Sequence, residues 1–185
     1  MKRGPIVTPL PVLLVGTYDE DGTPNLMNVA WGGQCSERHV ALNIGHVRKT
    51  RDNIERTHEF TVSFATADTV VPADYVGIVS GLKVKDKVAR AGLHAQKAQT
   101  VNAPVFDEFP LTLECRLDEI VETKTEEIRI TGEIVGMTAD ESILTEDGKV
   151  DLAKLRPIMF DSAQNKYRVI GDIVGNAFKD GLKLK

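Results

Sequence analysis

The fold is decided by residues 11–31, which read PVLLVGTYDEDGTPNLMNVAW. An apolar run rich in Val and Leu extends from Pro11 to Tyr18, and the polar turn DEDG follows at positions 19–22. Apolar and polar side chains then alternate from Asn25 to Trp31, as they do in a strand with one buried face. This stretch therefore predicts two antiparallel strands joined by a tight turn.

Strand patterns continue on both sides of short helical segments. Further strands are predicted over residues 38–44, 59–65, 111–121, 127–137 and 166–170, and short helices over 50–58, 68–79 and 85–91. Short helices cannot cover both faces of a parallel sheet, whereas a closed or nearly closed antiparallel barrel needs no such cover. We expect a mainly β protein: a small antiparallel barrel of six or seven strands with helices packed outside. Its first three strands are predicted to form a hairpin-connected meander.

The composition limits the number of domains and the class of partner. The chain has 185 residues, of which 42% are hydrophobic and 27% charged, as is ordinary for a globular protein. We predict one domain over residues 1–170, followed by a polar tail or helical arm over 171–185. The 23 basic and 27 acidic residues give a net charge of −4. This balance argues against binding to nucleic acids or to membrane surfaces, because both are negatively charged and attract basic proteins.

The cysteines, the histidines and the N-terminal residues argue against disulfides, metal sites and a membrane span. Cys35 and Cys115 lie far apart and form no CxxC pair, so a disulfide scaffold and a thiolate zinc site are not expected. The four histidines show no metal-ligand spacing. The apolar run from Leu10 to Val15 is interrupted by proline and is too short to span a bilayer. We therefore predict a cytoplasmic protein without a metal.

The familiar enzyme motifs are absent from the sequence. It contains no GxGxxG, no GxxxxGK[ST], no GxSxG and no HExxH pattern. No spacing of Ser, His and Asp singles out a catalytic triad. No side chain is therefore predicted to be catalytic.

The densest local signal is GHVRKTRDN at positions 45–53, which contains three cationic side chains and a histidine. We expect Thr50 to cap a helix here. Unsatisfied N–H groups at a helix N-terminus, together with His46, Arg48, Lys49 and the Thr50 hydroxyl, would suit a phosphate monoester. The alternative is a solvated basic turn in which Thr50 is an ordinary cap. Composition does not choose between the two.

A second signal is the stretch NVAWGGQCS at positions 28–36, where a predicted strand ends in a glycine pair. Small residues there would let a flat ligand approach the backbone. Trp31 would then border the ligand, or it is instead a core aromatic residue. The pair Gly32 and Gly33 equally fits a hairpin turn. A third stretch, 74–87, reads as a glycine-terminated helix followed by a charged loop.

The order of these signals resembles one known family. The motifs that carry the resemblance are residues 11–17, 21–31, 40–44, 46–54, 59–63, 74–81, Asp86-Lys87, 91–93, 103–105, 113–115 and 132–135. Together they cover roughly residues 5 to 170. In this order and spacing they are similar to the flavin reductase-like family, and above all to its flavoredoxin-like FMN-binding members from anaerobes.

The resemblance implies an FMN-binding split barrel, a six-stranded Greek-key-like antiparallel barrel, that usually forms a homodimer with the flavin near the subunit interface. It implies that Asn28, Val29, Ala30 and Trp31 lie along the isoalloxazine ring and its pyrimidine edge, with Cys35 and Ser36 near the ring or the ribityl chain. It assigns His46, Arg48, Lys49 and Thr50 to the phosphate, and Tyr75, Ser80 and Gly81 to the pocket wall. The sequence departs from the family pattern where relatives often carry a histidine, around Thr125 to Ile128, and at Val76, a cysteine in some relatives.

Two functions follow from the resemblance. The first is an FMN-dependent oxidoreductase that takes electrons from NAD(P)H or from a redox protein. The second is an electron-transfer protein that binds FMN but has no substrate of its own. A related split barrel that binds haem or pyridoxal phosphate is a third alternative.

Overall fold

The computed structural model describes residues 7–185, and most of its ordered elements are β-strands. In chain order the strands are β1 (Leu10–Pro11), β2 (Leu13–Tyr18), β3 (Pro24–Val29), β4 (Gly32–Ser36), β5 (His39–Gly45), β6 (Glu59–Phe64), β7 (Ala95–Lys97), β8 (Pro104–Phe106), β9 (Leu111–Glu122), β10 (Glu127–Ala139), β11 (Ile158–Asp161) and β12 (Lys166–Val169). The helices are α1 (Lys49–Thr57), α2 (Val70–Ile78), α3 (Lys87–Arg90) and α4 (Leu152–Leu155), with 3₁₀ turns at Ala67–Thr69, Glu141–Ile143 and Asp180–Leu184.

The largest sheet contains seven antiparallel strands in the order β3-β2-β6-β9-β10-β5-β4. It is not closed, because β3 and β4 form its two edges. Irregular pairing between β9 and β10 at Thr131/Gly132 and Ile134/Gly136 bends the long hairpin that they form. The predicted mainly β, split-barrel architecture with short helices is confirmed.

The predicted three-strand meander is wrong. β2 pairs with β3 and β4 pairs with β5, but these two hairpins lie at opposite edges of the sheet. Gly32 and Gly33 are not a hairpin turn; they begin β4 and pair with Leu42 and Ala41. Alternation of side chains along a strand predicts which face is buried, but it carries no information about the neighbouring strand.

The curved sheet encloses one hydrophobic core and supports a second. Fully buried side chains from six strands and α1 fill the first, including Val15, Leu42, Ile54, Phe60 and Ile130. The second lies between the outer face of β2 and β3 and the segments around α2 and α3. The first core holds α1 through Ile54, and the second holds α2 through Ala73 and Val76; both helices pack near the β2–β3 hairpin. The candidate site lies between these two helices.

Gly132 provides a test of the barrel interior. A Cβ at this position would lie 2.8 Å from Cε1 of Phe60, a ring with no exposed surface. We expect Gly132→Ala to lower the free energy of unfolding by about 1–2 kcal/mol, since overfilling a packed core forces neighbours to shift. Gly33→Ala in β4 is the matched control, because a Cβ there would have no neighbour within 4 Å. Urea denaturation of both variants checks the expectation, and equal stabilities would contradict it.

The remaining elements lie outside the main sheet. β1, β11 and β12 form a three-stranded sheet, and β7 pairs with β8. Residues 171–185 contain the last 3₁₀ turn and are almost entirely exposed. No helix among residues 7–185 has both the length and the apolar character needed to cross a membrane.

Candidate functional site

The N-terminus of α1 forms one side of the candidate site. The helix begins at Lys49, and its N-cap is Arg48, whose backbone is extended at φ −140° and ψ 132°. The predicted cap at Thr50 is therefore wrong. Thr50 lies in the first turn of the helix, where its buried hydroxyl accepts a hydrogen bond from Asn25 Nδ2 at 2.9 Å.

A buried polar network fixes the position of Thr50. Asn25 Nδ2 also donates to Thr17 Oγ1 at 3.2 Å, and Asn53 Nδ2 donates to the same oxygen at 3.1 Å. All four side chains are buried, so each of these bonds replaces water that the groups have lost. Because the Thr50 oxygen accepts from Asn25, its hydroxyl proton is available to an acceptor on the other side.

A cavity of about 130 Å³ opens at this point, between α1, β3 and the end of α2. Five of the residues predicted from the sequence line it: Arg48, Lys49, Thr50, Ser80 and Gly81. The other lining residues are Asn25, Met27, Gly77, Ile78, Val79 and Lys87. The structure thus brings the basic turn together with the segment that follows α2, which lies about thirty residues later in the sequence. The predicted glycine-terminated helix is wrong, because α2 ends at Ile78 and its C-cap is Val79, whose backbone is extended.

Two cations at this cavity have no carboxylate partner among residues 7–185. The Arg48 guanidinium donates only to the Val47 carbonyl, at 3.0 Å. Lys87 is 3% exposed, and its ammonium donates to the carbonyls of Val76 and Val79 at 3.0 and 3.1 Å. Burial, together with the nearby charge of Arg48, lowers the pKa of Lys87 to about 8. The cavity therefore carries positive charge that no carboxylate among the described residues balances.

Lys49 differs from these two residues because its charge is already balanced. Its ammonium lies 2.6 Å from Oδ1 of Asp19, a carboxylate that is almost buried. Burial alone would raise the pKa of Asp19, but the hydrogen bond from Lys49 outweighs it, together with other contacts, and the pKa is lowered. Lys49 lines the cavity, yet Arg48 and Lys87 supply the uncompensated charge.

Gly81 closes the cavity where no side chain would fit. A Cβ at this position would lie 2.5 Å from Asn25 Oδ1 and 3.4 Å from Lys49 Cβ. We expect Gly81→Ala to displace Asn25 and to weaken binding of an anionic ligand by about 1–2 kcal/mol, the usual scale of overpacking. Titration with FMN, the ligand that the resemblance implies, measures the change. Gly171→Ala, where a Cβ would meet nothing within 4 Å, is the control and should bind as the wild type does.

A second cavity of about 210 Å³ adjoins the first and shares Gly77 and Ile78 with it. The predicted residues Asn28 and Ala30 line it. Tyr167 also lines it and donates a hydrogen bond from its hydroxyl to Asp74 at 2.7 Å. Burial and Asp74 raise the pKa of Tyr167 to about 12, so its hydroxyl stays protonated at neutral pH.

A broad groove of about 770 Å³ lies on the far side of the β3–β4 connection. Trp31 and Cys35 line it, together with polar side chains of β5, β9 and β10. Trp31 is 50% exposed, so the alternative of a core aromatic residue is wrong. Cys35 is exposed as a free thiol, whereas burial raises the pKa of Cys115 to about 12.

Four predicted residues do not line any of these three spaces. Val29 is buried in the barrel core, and Tyr75 packs against the second core. Ser36 Oγ lies 2.9 Å from His39 Nδ1, and His46 Nδ1 lies 3.5 Å from Glu122 Oε2. Their roles toward a ligand stay predictions from the resemblance.

Three residues that line these cavities are not predicted from the sequence as site residues: Asn25, Lys87 and Tyr167. Lys87 belongs to the Asp86-Lys87 motif within a charged stretch, and a lysine in such a stretch normally lies in solvent. No sequence signal distinguishes it, because its burial depends on how α2 and α3 meet.

Both the sequence and the structure of this chain are similar to those of known proteins. The model of a family described as "Flavin reductase like domain" matches residues 5–162. The structure of flavoredoxin from Desulfovibrio vulgaris (Miyazaki F) is 34% identical; the match covers 98% of this chain and 97% of that one, with a TM-score of 0.91. Flavoredoxin from Methanosarcina acetivorans is 29% identical over 100% of this chain and 97% of that one, again with a TM-score of 0.91.

A more distant likeness is to an FMN-binding domain of a flavin reductases-like enzyme from Shewanella baltica OS155. It is 19% identical, and the match covers 90% of this chain and 88% of that one, with a TM-score of 0.77. At this identity the match shows a shared fold alone.

Proposed function

The chain belongs to the flavin reductase-like family, which supports a flavin cofactor and a role in electron transfer, and from this premise we propose that the flavin is FMN. We propose further that the protein is an oxidoreductase that takes electrons from NAD(P)H or from a redox protein. The observation that carries the proposal is the cavity at the N-terminus of α1. Its two cations, Arg48 and Lys87, lack a carboxylate partner among the described residues.

The residues of this cavity fit a phosphate monoester. Arg48 can donate charge-assisted hydrogen bonds to a phosphate oxygen, and Lys87 can supply a compact positive charge. The Thr50 hydroxyl, fixed by Asn25, can donate a third bond. The first N–H groups of α1 and the helix dipole favour an anion at the same place. A dianionic phosphate would also compensate the buried charge of Lys87.

The adjoining cavity supports a location for the ring. Because it shares Gly77 and Ile78 with the first cavity, a ligand anchored by its phosphate would extend toward Asn28 and Ala30. Backbone groups of that stretch can hydrogen-bond the polar edge of a heterocycle. Trp31 and Cys35 would lie beyond them, on the side of the broad groove.

When bound, FMN supplies the redox chemistry, and the protein supplies position and polarity. Asn28 is itself held by a hydrogen bond to the Ala73 carbonyl at 3.3 Å, so that edge of the pocket is ordered. Tyr167 keeps its proton and can donate or accept a hydrogen bond without changing charge. No residue of this set needs to act as an acid or base.

The second candidate function is electron transfer without NAD(P)H oxidation. The flavoredoxin matches, which cover nearly the whole chain, favour it, as does the absence of a histidine from Thr125 to Ile128. A net charge of −4 would suit docking to a basic patch on a redox partner. In either case we propose a homodimer in the cytoplasm.

The decisive experiment is reconstitution followed by turnover. Excess FMN is added to the purified protein, unbound flavin is removed by desalting, and the visible spectrum is recorded. Retained flavin maxima at about one flavin per chain are expected, and a colourless protein would refute the FMN proposal. A Soret band in the protein as purified would instead indicate haem.

Steady-state oxidation of NADH and NADPH then separates the two functions. A rate above that of the same concentration of free FMN would support the oxidoreductase. A rate no greater than that of free FMN, in a protein that retains its flavin, would leave only the electron-transfer function.

A further inference from the structure

The two adjoining cavities of the candidate site carry opposite charge. Arg48 and Lys87 line the first cavity, and neither has a carboxylate partner among residues 7–185. Asp74 lines the second cavity, and its carboxylate forms no ion pair within the same part of the chain. Because Gly77 and Ile78, at the end of α2, line both spaces, the combined pocket is positive at one end and negative at the other.

The charge at the negative end belongs to a hydrogen-bonded pair. The Tyr167 hydroxyl donates to Asp74 Oδ1 at 2.7 Å, and this is the only hydrogen bond of that carboxylate within the described chain. Burial and the carboxylate raise the pKa of Tyr167 to about 12, so the phenol stays neutral. At neutral pH the pair therefore keeps the full negative charge of an aspartate.

Packing holds the Asp74–Tyr167 pair in place. Tyr167 lies on β12, where its ring packs against Phe160 with the ring centroids 6.0 Å apart, and both rings contact the second core. Ala73 and Val76, on either side of Asp74 in α2, are buried in that core. The carboxylate is itself part-buried, so solvent and salt screen its charge less than they screen a surface charge.

The rest of the second cavity does not compensate this charge. Its polar side chains are Asn28, Asp74 and Tyr167, and none of its lining residues is basic. Asn28 donates an amide N–H to the Ala73 carbonyl at 3.3 Å, and its side-chain oxygen stays available as a further acceptor. Such a space favours a neutral group with N–H donors and disfavours a group that gains negative charge.

Reduction of a flavin adds negative charge to its ring. The ring takes up two electrons and one proton, which a hydride from NAD(P)H supplies, and the neutral oxidised ring becomes a reduced ring with one negative charge. A nearby carboxylate repels this charge, with an energy that grows as the local dielectric constant falls. The carboxylate therefore stabilises the oxidised form relative to the reduced form, which lowers the reduction potential.

We propose that Asp74, held in place by Tyr167, lowers the two-electron reduction potential of the FMN bound in this pocket. The inference rests on the proposed function, in which the phosphate lies in the first cavity and the ring in the second. Asp74 acts through its charge and transfers no proton. Tyr167 offsets part of the effect, because its hydroxyl dipole points its positive end at the carboxylate. A lower potential makes the reduced protein a stronger electron donor to the next carrier.

Spectroelectrochemical titration of the FMN-loaded proteins at neutral pH tests the proposal. Asp74→Asn removes the charge and keeps an oxygen that can accept from Tyr167. We expect this variant to bind reduced FMN about tenfold more tightly relative to oxidised FMN, which raises the midpoint potential by about 30 mV. Asp68→Asn is the matched control, because it removes the same charge from an exposed carboxylate that pairs with Arg156 and lines neither cavity. Its potential should equal the wild-type value.

Tyr167→Phe separates an effect of charge from damage to the pocket. It removes the hydroxyl that offsets the carboxylate, so the potential should fall below the wild-type value. Loss of packing alone would move the potentials of Asp74→Asn and Tyr167→Phe in the same direction. The double variant should match Asp74→Asn, since no charge remains to be offset.

The outcomes separate this inference from the function on which it rests. Failure of the wild type to retain FMN would overturn both. Retention of FMN with equal potentials in the wild type and Asp74→Asn would overturn the role of Asp74 alone, as would a rise of the same size in Asp68→Asn. If Asp74→Asn lost its flavin, a potential in Tyr167→Phe at or above the wild-type value would overturn the role of the pair.

Discussion

FMN affinity is expected to fall about tenfold for each pH unit above 8, because binding requires the protonated form of Lys87. In the free protein, burial and Arg48 lower the pKa of Lys87 from its ordinary value of 10.5 to about 8. A phosphate beside the ammonium would raise this pKa again. Between the two values each binding event takes up a proton, so the dissociation constant rises with pH.

The variant Lys87→Met isolates this effect. It should bind FMN more weakly at pH 7, and its dissociation constant should change little between pH 8 and about 10. Lys85→Met is the matched control, since Lys85 is exposed and pairs with Asp21. Fluorescence titration of FMN across this pH range measures all three proteins. A wild-type profile as flat as that of Lys87→Met would exclude Lys87 from the site.

The stability of the flavin-free protein should change with pH in the opposite direction. Between about pH 8 and 10.5 the unfolded chain keeps the Lys87 proton that the folded chain has lost. The unfolded state then binds more protons, so this group's contribution to the free energy of unfolding rises with pH across that window. Below pH 8 the folded protein bears the full cost of the buried charge. Urea denaturation of the apoprotein at pH 8 and about 10, with Lys87→Met for comparison, tests the sign.

Replacing Arg48 with Ala is expected to weaken FMN binding by about 1–3 kcal/mol, the usual value of a charge-assisted hydrogen bond. The guanidinium has no carboxylate partner within the described chain, so removing it breaks no ion pair in the folded protein. Binding of riboflavin, which lacks the phosphate, should be unaffected. Titration with both flavins therefore distinguishes loss of a phosphate contact from damage to the ring pocket.

Thr50→Ala should show the same selectivity for the phosphate, with a loss in the same range of about 1–3 kcal/mol. The control is Arg56→Ala, which removes a cation from the last turn of α1, where the guanidinium binds the Tyr18 carbonyl. That variant should retain the wild-type affinity for FMN. If neither Arg48→Ala nor Thr50→Ala changed the dissociation constant, the phosphate would have to bind elsewhere.

The proposed phosphate site shows how much of a binding site local sequence can predict. Arg48, Thr50 and the start of α1 lie within three residues, so the local sequence offered an anion site as one of two interpretations, the other being a solvated basic turn. The cap was assigned to Thr50 rather than to Arg48 because a hydroxyl is the commoner cap. That assignment failed because Asn25, distant in sequence, offers the Thr50 oxygen a buried hydrogen bond.

The sequence by itself determined the β-rich fold, the first hairpin, the basic turn and the family. Each of these depends on residues that are close along the chain, through alternation, turn residues or ordered motifs. Only the tertiary structure decided that the β2–β3 and β4–β5 hairpins lie at opposite edges of the sheet. It also decided that Lys87 is a buried cation beside Arg48, and that residues 171–185 expose apolar side chains. Strand partners, burial and pKa values depend on long-range packing, because the free energy of a buried group is set by the neighbours that fold around it.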